Sequence, residues 1–406
     1  MISVKEASLR IQKATQEFSV ETVSFLESQD RVLKETILAD TDFPSFDRVC
    51  MDGIAILKKQ FDAGKRSFSI EGVQAAGSPQ RTLKNAESCL EVMTGAILPN
   101  NTDAVIPYEL VTIENGNATV NVDQVKALQN IHSKGRDRSR GELLIEKDTL
   151  ITAAEIGVLA TVGKSEVQVI QQPKIVIVST GDELVEVAEI PLAHQIRRSN
   201  VYSLIALLKR LAVKAHTEHL KDDKESLKRQ IQFYLETYDV LLFSGAVSKG
   251  KFDFLPEVLE ELGVEKLFHK VKQRPGKPFW FGQRVALDVS GVENKTTIFA
   301  FPGNPVSTYV NCLKYFYPWY QKSLGTKPSK ETAVLGVDFS FKPSMTYFLQ
   351  VKLENKAGVL VAIPQIGNGS GDLTNLVDAD AFLELPADKT EFKKGEFYPI
   401  LRYRTF

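Results

Sequence analysis

Two short loops of this 406-residue chain carry residue types that bind anions. The first is Arg274-Pro275-Gly276-Lys277-Pro278, with two cationic side chains three residues apart in sequence. The second is Pro302-Gly303-Asn304-Pro305-Val306-Ser307, which follows an apolar run and opens a helical pattern over residues 307–320. The N–H groups and the dipole at a helix start attract negative charge. Together the loops predict an anion site, although either loop alone is more typical of an ordinary turn.

Carboxylates follow several predicted strands of the same region. Glu183 lies in Ser179-Thr180-Gly181-Asp182-Glu183, Asp222 and Asp223 form a pair, and Asp253 lies further along the chain. Magnesium prefers carboxylate, water and phosphate oxygens, so these acids are candidate ligands. For each of them, a helix cap or a solvated turn is the alternative interpretation.

The elements that must position these loops alternate between strand and helix. Buried strands are predicted over residues 174–179 and 239–244, with helices after Asn200, over residues 224–237 and over residues 254–262. Such alternation predicts a doubly wound α/β domain over residues 171–323. Ligands of such sheets bind outside the carboxyl ends of the strands, which is where the polar loops fall. Asn200 is predicted to cap its helix.

The flanking regions differ from this domain. Residues 1–40 have a helical pattern, residues 42–139 are rich in short strand-like runs, and a short helix is predicted over residues 153–162. The last 83 or so residues contain five strand candidates, which predict a small barrel or sandwich. The candidates are residues 332–341, 347–353, 359–363, 381–385 and 398–403.

Composition narrows the class of protein. With 50 Lys plus Arg and 51 Asp plus Glu, the net charge of −1 argues against a protein that wraps a nucleic acid. No apolar run reaches the length of a membrane span, and the N-terminus lacks the pattern of a signal peptide. The three cysteines are widely spaced, so free thiols in a reducing cytoplasm are expected.

The run Phe279-Trp280-Phe281 could stack on a ring of a ligand, but core packing is the more common role.

Taken in order, the motifs resemble the molybdopterin molybdenumtransferase family, to which the C-terminal domain of gephyrin belongs. The resemblance extends nearly from end to end and rests on six segments: Phe46-Asp47-Arg48-Val49-Cys50-Met51-Asp52-Gly53, Thr94-Gly95-Ala96, Ser179-Thr180-Gly181-Asp182-Glu183-Leu184, Asp222-Asp223, Pro275-Gly276-Lys277-Pro278 and Pro302-Gly303-Asn304-Pro305-Val306-Ser307.

The resemblance implies an α/β multidomain fold in four parts. A discontinuous helical linking domain (residues 1–41 and 140–170) surrounds an inserted β-rich module (residues 42–139). The α/β molybdopterin-binding domain (residues 171–323) and a C-terminal β-barrel (residues 324–406) follow. It also implies a homodimer, in which the β module of one subunit completes the active site of the other.

The implied activity is the insertion of molybdate into adenylylated molybdopterin, with Mg²⁺ and release of AMP. The implied catalytic residues are Asp52, Thr94, Glu183, Asp222 and Lys277, and the implied metal ligands are Glu183, Asp222, Asp223 and Asp253. The implied substrate-binding residues are Thr180, Gly181, Asp182, Ser248, Asp253, Arg274, Gly276, Pro302, Asn304, Pro305, Ser307 and Ser370. The molybdopterin adenylyltransferase is a further implied partner; no nucleic acid and no membrane are expected.

Three positions depart from the family pattern. Val49 stands where Ser is usual, Ala246 where a second Gly is usual, and Gln350 where an Arg is usual. Two other functions stay open on sequence: a nucleotidyl enzyme like the molybdopterin adenylyltransferase, and a non-catalytic binding scaffold. The former would consume ATP, and the latter would neither consume ATP nor release AMP.

Overall fold

The computed structural model describes residues 1–221, 223–245, 247, 254–287, 293–326 and 330–404. Asp222, Ser248 and Asp253, and the departure at Ala246, lie outside the described residues. The chain divides into two compact units. The large unit comprises Met1–Val23, Asp30–Lys34 and Gln168–Phe406, and the small unit comprises Ser24–Gln29 and Glu35–Val167.

The helices of the described chain are short, and none is long and apolar enough to cross a membrane. In chain order they are α1 (Val4–Lys13), α2 (Lys58–Asp62), α3 (Ala153–Thr161), α4 (Asn200–Lys209), α5 (Lys224–Thr237), α6 (Leu255–Glu261), α7 (Pro305–Asn311), α8 (Tyr317–Ser323) and α9 (Asn375–Asp378). A 3₁₀ turn spans Tyr108–Leu110, and a π turn spans Cys312–Phe316 between α7 and α8.

Three sheets organise the two units, and we number only the strands that build them. They are β1 (Gly53–Ile56), β2 (Ser67–Gln74), β3 (Ser88–Val92), β4 (Ala104–Pro107), β5 (Val111–Glu114), β6 (Asn117–Val120), β7 (Ile175–Thr180), β8 (Ala215–Leu220), β9 (Val240–Ser244), β10 (Glu265–His269), β11 (Trp280–Leu287), β12 (Glu293–Phe301), β13 (Glu331–Leu335), β14 (Thr346–Lys356), β15 (Val359–Pro364), β16 (Ala381–Leu385) and β17 (Phe397–Arg402). The other strands are Val20–Ser24, Ile37–Leu38, Arg48–Val49, Ile131–His132, Leu143–Ile145, Glu166–Ile170, Leu184–Val185, Ile196–Arg197, Gln273–Arg274, Phe339–Ser340 and Glu391–Phe392.

The small unit is built on a mostly antiparallel sheet of order β4-β1-β3-β2-β6-β5. All four residues of β1 are buried, as expected for an inner strand made of small and branched side chains. The register pairs Gly53 with Val92 across β1 and β3. Because these strands are antiparallel, the residue before β1 and the residues after β3 emerge at the same edge of the sheet.

The large unit contains a second sheet of order β8-β7-β9-β12-β11-β10. Strands β8, β7, β9 and β12 run parallel, β11 is antiparallel to β12, and β10 is antiparallel to β11. Successive residues of β7 contribute to two different cores: Ile175 and Ile177 to one, Val176 and Val178 to the other. This alternation covers both faces of the sheet, as continuous apolar strands require. The predicted α/β fold is confirmed.

Phe279, Trp280 and Phe281 belong to these cores and are fully buried. Phe279 packs against Tyr315 with the ring centroids 4.9 Å apart, and Phe281 packs against Phe299 at the same distance. Their role is core packing, and the alternative of a ring platform for a ligand is not supported.

The third sheet closes into a five-stranded barrel of order β14-β15-β13-β17-β16, because β16 also pairs with β14. Its strands correspond to the five candidates read from the sequence, so the predicted C-terminal β-barrel is confirmed. The short strand Gln273–Arg274 pairs in parallel with β14 and joins the loop that follows it to the barrel.

The helical prediction for residues 1–40 is wrong beyond α1. Residues Val20–Ser24 form a strand in which half-buried and exposed side chains alternate, and Leu9, placed on the apolar face by the sequence pattern, is half exposed. The helix predicted over residues 307–320 is confirmed as part of a helical run from Pro305 to Ser323, in which a π turn interrupts the α-helical geometry. Pro318 has no N–H with which to continue the hydrogen-bond pattern, and the chain changes from α7 to a π turn before α8 begins.

Candidate active site

A cavity of about 420 Å³ lies at the carboxyl ends of β7, β9 and β12 in the large unit. We call it the first cavity. Its wall includes Thr180 and Gly181 after β7, Ser244 and Gly245 at the end of β9, and the turn that follows β12. The chain places β8 on one side of β7 and β9 on the other, so the cavity lies at the point where the strand order reverses. Open α/β sheets bind their ligands at this position.

The Thr180 hydroxyl is the most unusual group of this wall. Thr180 is 5% exposed, and its Oγ1 has no hydrogen-bond partner among the described residues. Gly245 packs against it: a Cβ at Gly245, whose φ is +114°, would lie 2.8 Å from Thr180 Oγ1. A buried hydroxyl without a partner costs stability, so its position at a cavity indicates a group that a ligand satisfies.

Asn200 ties two strand ends together. Its Nδ2 donates to Ser244 Oγ at 2.9 Å and to the Gly303 carbonyl at 2.7 Å. The prediction that Asn200 caps its helix is wrong, since α4 begins at Asn200, its N-cap is Ser199, and no side-chain cap bond forms there. The amide instead fixes the spacing between β9 and the turn after β12.

Arg198 brings a guanidinium to the first cavity. Its side chain is 7% exposed and pairs with Glu186 through Nη1 and Oε1 at 2.6 Å, while its Nε has no partner among the described residues. Glu183 lines the same cavity, and its carboxylate lies against Gly181, where a Cβ would come within 2.5 Å of Oε2. The cavity thus combines a carboxylate at its rim with a buried cation in its wall.

A second cavity of about 500 Å³ lies between the α/β part of the large unit and its barrel. Residues 274–278, which we call the cationic loop, form one wall. Arg274 and Lys277 are exposed, and neither forms an ion pair or a side-chain hydrogen bond with any residue in the described ranges. Ser307 and Ser370 line the same cavity, which therefore concentrates positive charge beside hydroxyl groups.

The opposite wall of the second cavity comes from the barrel. Phe341 and Phe339 both stack against Tyr347, with centroid distances of 4.2 and 5.9 Å. Gln350 is 8% exposed, and its Oε1 accepts a hydrogen bond from Asn375 Nδ2, while its Nε2 has no partner among the described residues. Gln350 thus presents a neutral donor, not a cation, to this cavity.

The two cavities adjoin, because Pro278, Pro302 and Asn304 line both. Asn304 Nδ2 donates to Ser370 Oγ at 2.8 Å, and the Val306 N–H donates to the Ser370 carbonyl at 3.1 Å. The N–H groups at the start of α7 are therefore partly occupied by the barrel, since the Val306 N–H donates to Ser370 and is not available to an anion. These bonds join the turn after β12 to the barrel wall.

Asp52 and Thr94 meet in the small unit, as the register of β1 and β3 requires. The backbone N–H and the hydroxyl of Thr94 donate to Asp52 Oδ1 at 2.6 and 2.7 Å. These two hydrogen bonds lower the pKa of Asp52 below its ordinary value. Asp52 is therefore a carboxylate at neutral pH, with one oxygen engaged by Thr94.

The structure brings together most of the residues that the sequence pointed to in the large unit. The first cavity includes Thr180, Gly181, Glu183, Pro302, Asn304 and Pro305, and the second includes Arg274, Gly276, Lys277, Pro302, Asn304, Ser307 and Ser370.

Two predicted acids do not join them. Asp223 is the N-cap of α5 and accepts from the Ser226 N–H at 2.9 Å, so the capping alternative describes it, and Asp182 lines neither cavity in the described part of the chain. Arg198 and Asn200 were not predicted as site residues. The only signal for them was their place at the start of the predicted helix at Asn200, within the same α/β domain.

Comparison with known proteins agrees with this arrangement. Family models match residues 2–163 (MoeA N-terminal region, domains I and II), residues 176–322 (probable molybdopterin binding domain) and residues 332–401 (MoeA C-terminal region, domain IV). The molybdopterin molybdenumtransferase of Synechocystis sp. is 42% identical over 403 residues, covering 98% of this chain and 99% of that protein. The chain belongs to the molybdopterin molybdenumtransferase family.

Other members of the family agree over the same length. The molybdopterin molybdenumtransferase of Staphylococcus epidermidis is 31% identical over 411 residues, covering 98% of this chain and 95% of that protein. Among solved structures, the molybdopterin biosynthesis MoeA protein of Pyrococcus horikoshii aligns with a TM-score of 0.81 at 26% identity, covering 99% of this chain and 100% of that chain. A second crystal structure of the Pyrococcus protein gives a TM-score of 0.80 at 28% identity over both full chains.

Replacing Thr180 by Val tests whether the Thr180 hydroxyl lacks a hydrogen-bond partner in the folded protein. The change exchanges a buried hydroxyl for a methyl group of similar shape, so the free energy of unfolding should stay the same or rise. Thr308→Val is the matched control, because the buried Thr308 hydroxyl donates to the Pro302 carbonyl. That control should lose about 1 kcal/mol in urea unfolding. A loss of the same size in Thr180→Val would show that its hydroxyl is already satisfied.

Proposed function

We propose that this chain inserts molybdate into adenylylated molybdopterin and releases AMP. Its relatives carry the name molybdopterin molybdenumtransferase, which supports a transfer of molybdenum that involves molybdopterin. The observation that carries the proposal is the pair of adjoining cavities, one at the strand ends and one rich in uncompensated positive charge, with Pro278, Pro302 and Asn304 common to both. A reaction that joins an oxyanion to a larger organic substrate needs two such neighbouring subsites.

The first cavity suits the pterin nucleotide. It lies within the segment that matches the probable molybdopterin binding domain, and its volume falls within the ordinary range for a ligand site. The unpaired Thr180 hydroxyl and Arg198 Nε supply donors for phosphate oxygens or for polar edges of the pterin. A donor that has no partner within the described protein contributes to binding when a ligand accepts its hydrogen bond.

The second cavity suits molybdate, a tetrahedral dianion. Lys277 and Arg274 supply positive charge, and Ser307 and Gln350 supply neutral donors around the same space. Each charge-assisted hydrogen bond is worth about 1.5–3 kcal/mol, so two cations and two neutral donors are enough to hold a small anion. Their role is to bind the oxyanion and to orient it toward the first cavity.

Magnesium is proposed as the metal, held by Glu183 together with oxygens of the substrate. Glu183 is the candidate ligand that lines the first cavity, whereas Asp223 caps α5, and Asp222 and Asp253 lie outside the described residues. Protein sites for Mg²⁺ often consist of one or two carboxylates and substrate phosphates, so a single carboxylate at the rim fits this metal. When bound, the metal would neutralise charge on the phosphates.

We also propose a homodimer with shared active sites and the four-part domain division given above. The boundaries between the three family models, near residues 163–176 and 322–332, support two of the proposed divisions. The hydrogen-bonded pair of Asp52 and Thr94 lies in the small unit, whereas Glu183 and Lys277 lie in the large one. In a two-fold dimer, the small unit of each subunit would bring this pair to the cavities of the other.

A reducing compartment, the cytoplasm, is proposed for the protein. Cys50, Cys89 and Cys312 are all free thiols, and two of them are buried. Burial raises the pKa of the Cys89 thiol to about 12, so that it stays protonated and unreactive.

The direct test is to incubate the protein with adenylylated molybdopterin, molybdate and Mg²⁺ and to measure AMP. Release of AMP that depends on molybdate, without ATP, is expected, and removal of Mg²⁺ by a chelator should stop it. Consumption of ATP would instead assign an adenylylating enzyme, and the absence of both reactions would assign a binding scaffold. Activity that survives removal of Mg²⁺ would contradict the metal proposal alone.

Lys277→Ala should weaken molybdate binding far more than binding of the pterin nucleotide, because Lys277 lines only the second cavity. Loss of one charge-assisted hydrogen bond corresponds to roughly a tenfold or larger rise in the molybdate dissociation constant. Lys214→Ala is the control, since Lys214 is exposed in the same unit and lines neither cavity. Equal molybdate affinities of wild type and Lys277→Ala in calorimetry would remove Lys277 from this role.

A mixing experiment tests the shared site. Asp52→Ala and Glu183→Ala are each expected to be inactive, and joint refolding in equal amounts gives about half heterodimers. If sites are shared, one site of each heterodimer carries both lesions and the other is intact, so roughly a quarter of wild-type activity should return. Mixing Asp52→Ala with Thr94→Ala is the control, because both lesions fall in the small unit and no site is restored. If heterodimers form but show no activity, the site lies within one chain.

A further inference from the structure

A buried network of hydrogen-bonded polar side chains lies directly behind the cationic loop. It consists of Tyr315, Gln273 and Asn311, which are 1%, 1% and 0% exposed. Buried polar side chains of this kind are retained only where hydrogen bonds satisfy them. Their hydrogen bonds lead to the backbone of the loop that carries Arg274 and Lys277.

Each hydrogen bond of this network has a defined donor and acceptor. The Tyr315 hydroxyl donates to Gln273 Oε1, and Gln273 Nε2 donates to Asn311 Oδ1 at 2.8 Å. Gln273 Nε2 also donates to the Pro275 carbonyl at 2.9 Å, and Asn311 Nδ2 donates to the Gly276 carbonyl at 3.3 Å. Two successive carbonyls of the cationic loop are therefore held by amides that are themselves held by a tyrosine.

The orientation of both amides follows from these partners. If the Gln273 and Asn311 amides were both reversed, their oxygens would face the carbonyl oxygens of Pro275 and Gly276, with no hydrogen between them. The Tyr315 hydroxyl donates to the Gln273 oxygen and so favours the orientation that points Nε2 at the loop. Removing the Tyr315 hydroxyl therefore weakens the preference for this amide orientation and changes no residue of the loop itself.

Gly276 allows the side-chain amides of Gln273 and Asn311 to approach the loop closely. Its φ is +88°, and a Cβ there would lie 2.7 Å from Asn311 Oδ1 and 2.8 Å from Gln273 Nε2. Any side chain at this position would therefore push the two amides away from the loop. The glycine thus fits both the left-handed backbone and the close approach of the amides.

We propose that Tyr315, Gln273 and Asn311 are positioning residues that hold the cationic loop in the conformation in which Lys277 and Arg274 bind the oxyanion. The inference rests on the proposed function of the second cavity. Asn311 and Tyr315 line neither cavity in the described part of the chain, so these two act through the loop and not through contact with substrate. They set the affinity for molybdate and leave the first cavity unchanged.

Tyr315→Phe is the sharpest test, because the ring that packs on Phe279 is kept and only the hydroxyl is lost. Tyr317→Phe is the matched control: the Tyr317 hydroxyl donates to the Leu207 carbonyl at 2.6 Å and does not belong to the network. We expect the molybdate dissociation constant of Tyr315→Phe to rise by about threefold to tenfold, the effect of one hydrogen bond. The affinity for adenylylated molybdopterin and the melting temperature relative to the control should stay unchanged.

Amide hydrogen exchange provides a readout that needs no ligand. Peptides covering residues 274–279 should exchange faster in Tyr315→Phe than in wild type or in Tyr317→Phe, because the loop is held less firmly. Unchanged exchange in these peptides, or unchanged molybdate affinity in a protein that binds molybdate, would overturn the proposal. If wild type does not bind molybdate, the proposed function fails, and the exchange experiment still decides whether the network holds the loop.

Discussion

The second cavity depends on two positive charges of the cationic loop that have no counter-ion among the described residues. Arg274 and Lys277 lie three residues apart on one loop, and no carboxylate pairs with either among the described residues. Like charges repel each other, so a loop that carries two cations without a counter-ion is held in place by contacts with the rest of the fold. A dianion that enters between the two cations is attracted by both and offsets their mutual repulsion.

The fold supplies the support from two directions. The short strand Gln273–Arg274 joins the start of the loop to β14 of the barrel. On the other side, Pro278 ends the loop at the boundary of the first cavity, next to Pro302 and Asn304. Asn304 and Val306 are in turn bonded to Ser370 of the barrel. The turn after β12 and the cationic loop thus meet where the two cavities adjoin.

Much of the fold could be predicted because its patterns are local. The apolar runs that became β7 and β9, and the five strands of the barrel, were visible as short stretches bounded by turn residues. Residues 1–40 failed for the same local reason: an apparent helical period extended past α1 over a stretch where Val20–Ser24 alternates as a strand. Nothing in the local pattern marks where the one period gives way to the other.

The candidate site was only partly predictable, because several of its contacts are not local. Asn200 looks like a cap, but its amide bonds to residues 44 and 103 positions away. The burial of Arg198 and Gln350, which leaves one nitrogen of each without a partner among the described residues, depends on packing that no spacing encodes. Motifs located the loops, whereas only the folded chain shows that they line two adjoining cavities.

Anomalous diffraction from crystals of this protein soaked with tungstate, a heavier tetrahedral analogue of molybdate, tests directly whether the oxyanion binds in the second cavity, beside the first. We expect a tungsten peak among Lys277, Ser307 and Gln350, and a weaker peak or none in crystals of Lys277→Ala. A peak confined to the first cavity, or one that Lys277→Ala leaves unchanged, would show that the oxyanion does not bind there through Lys277.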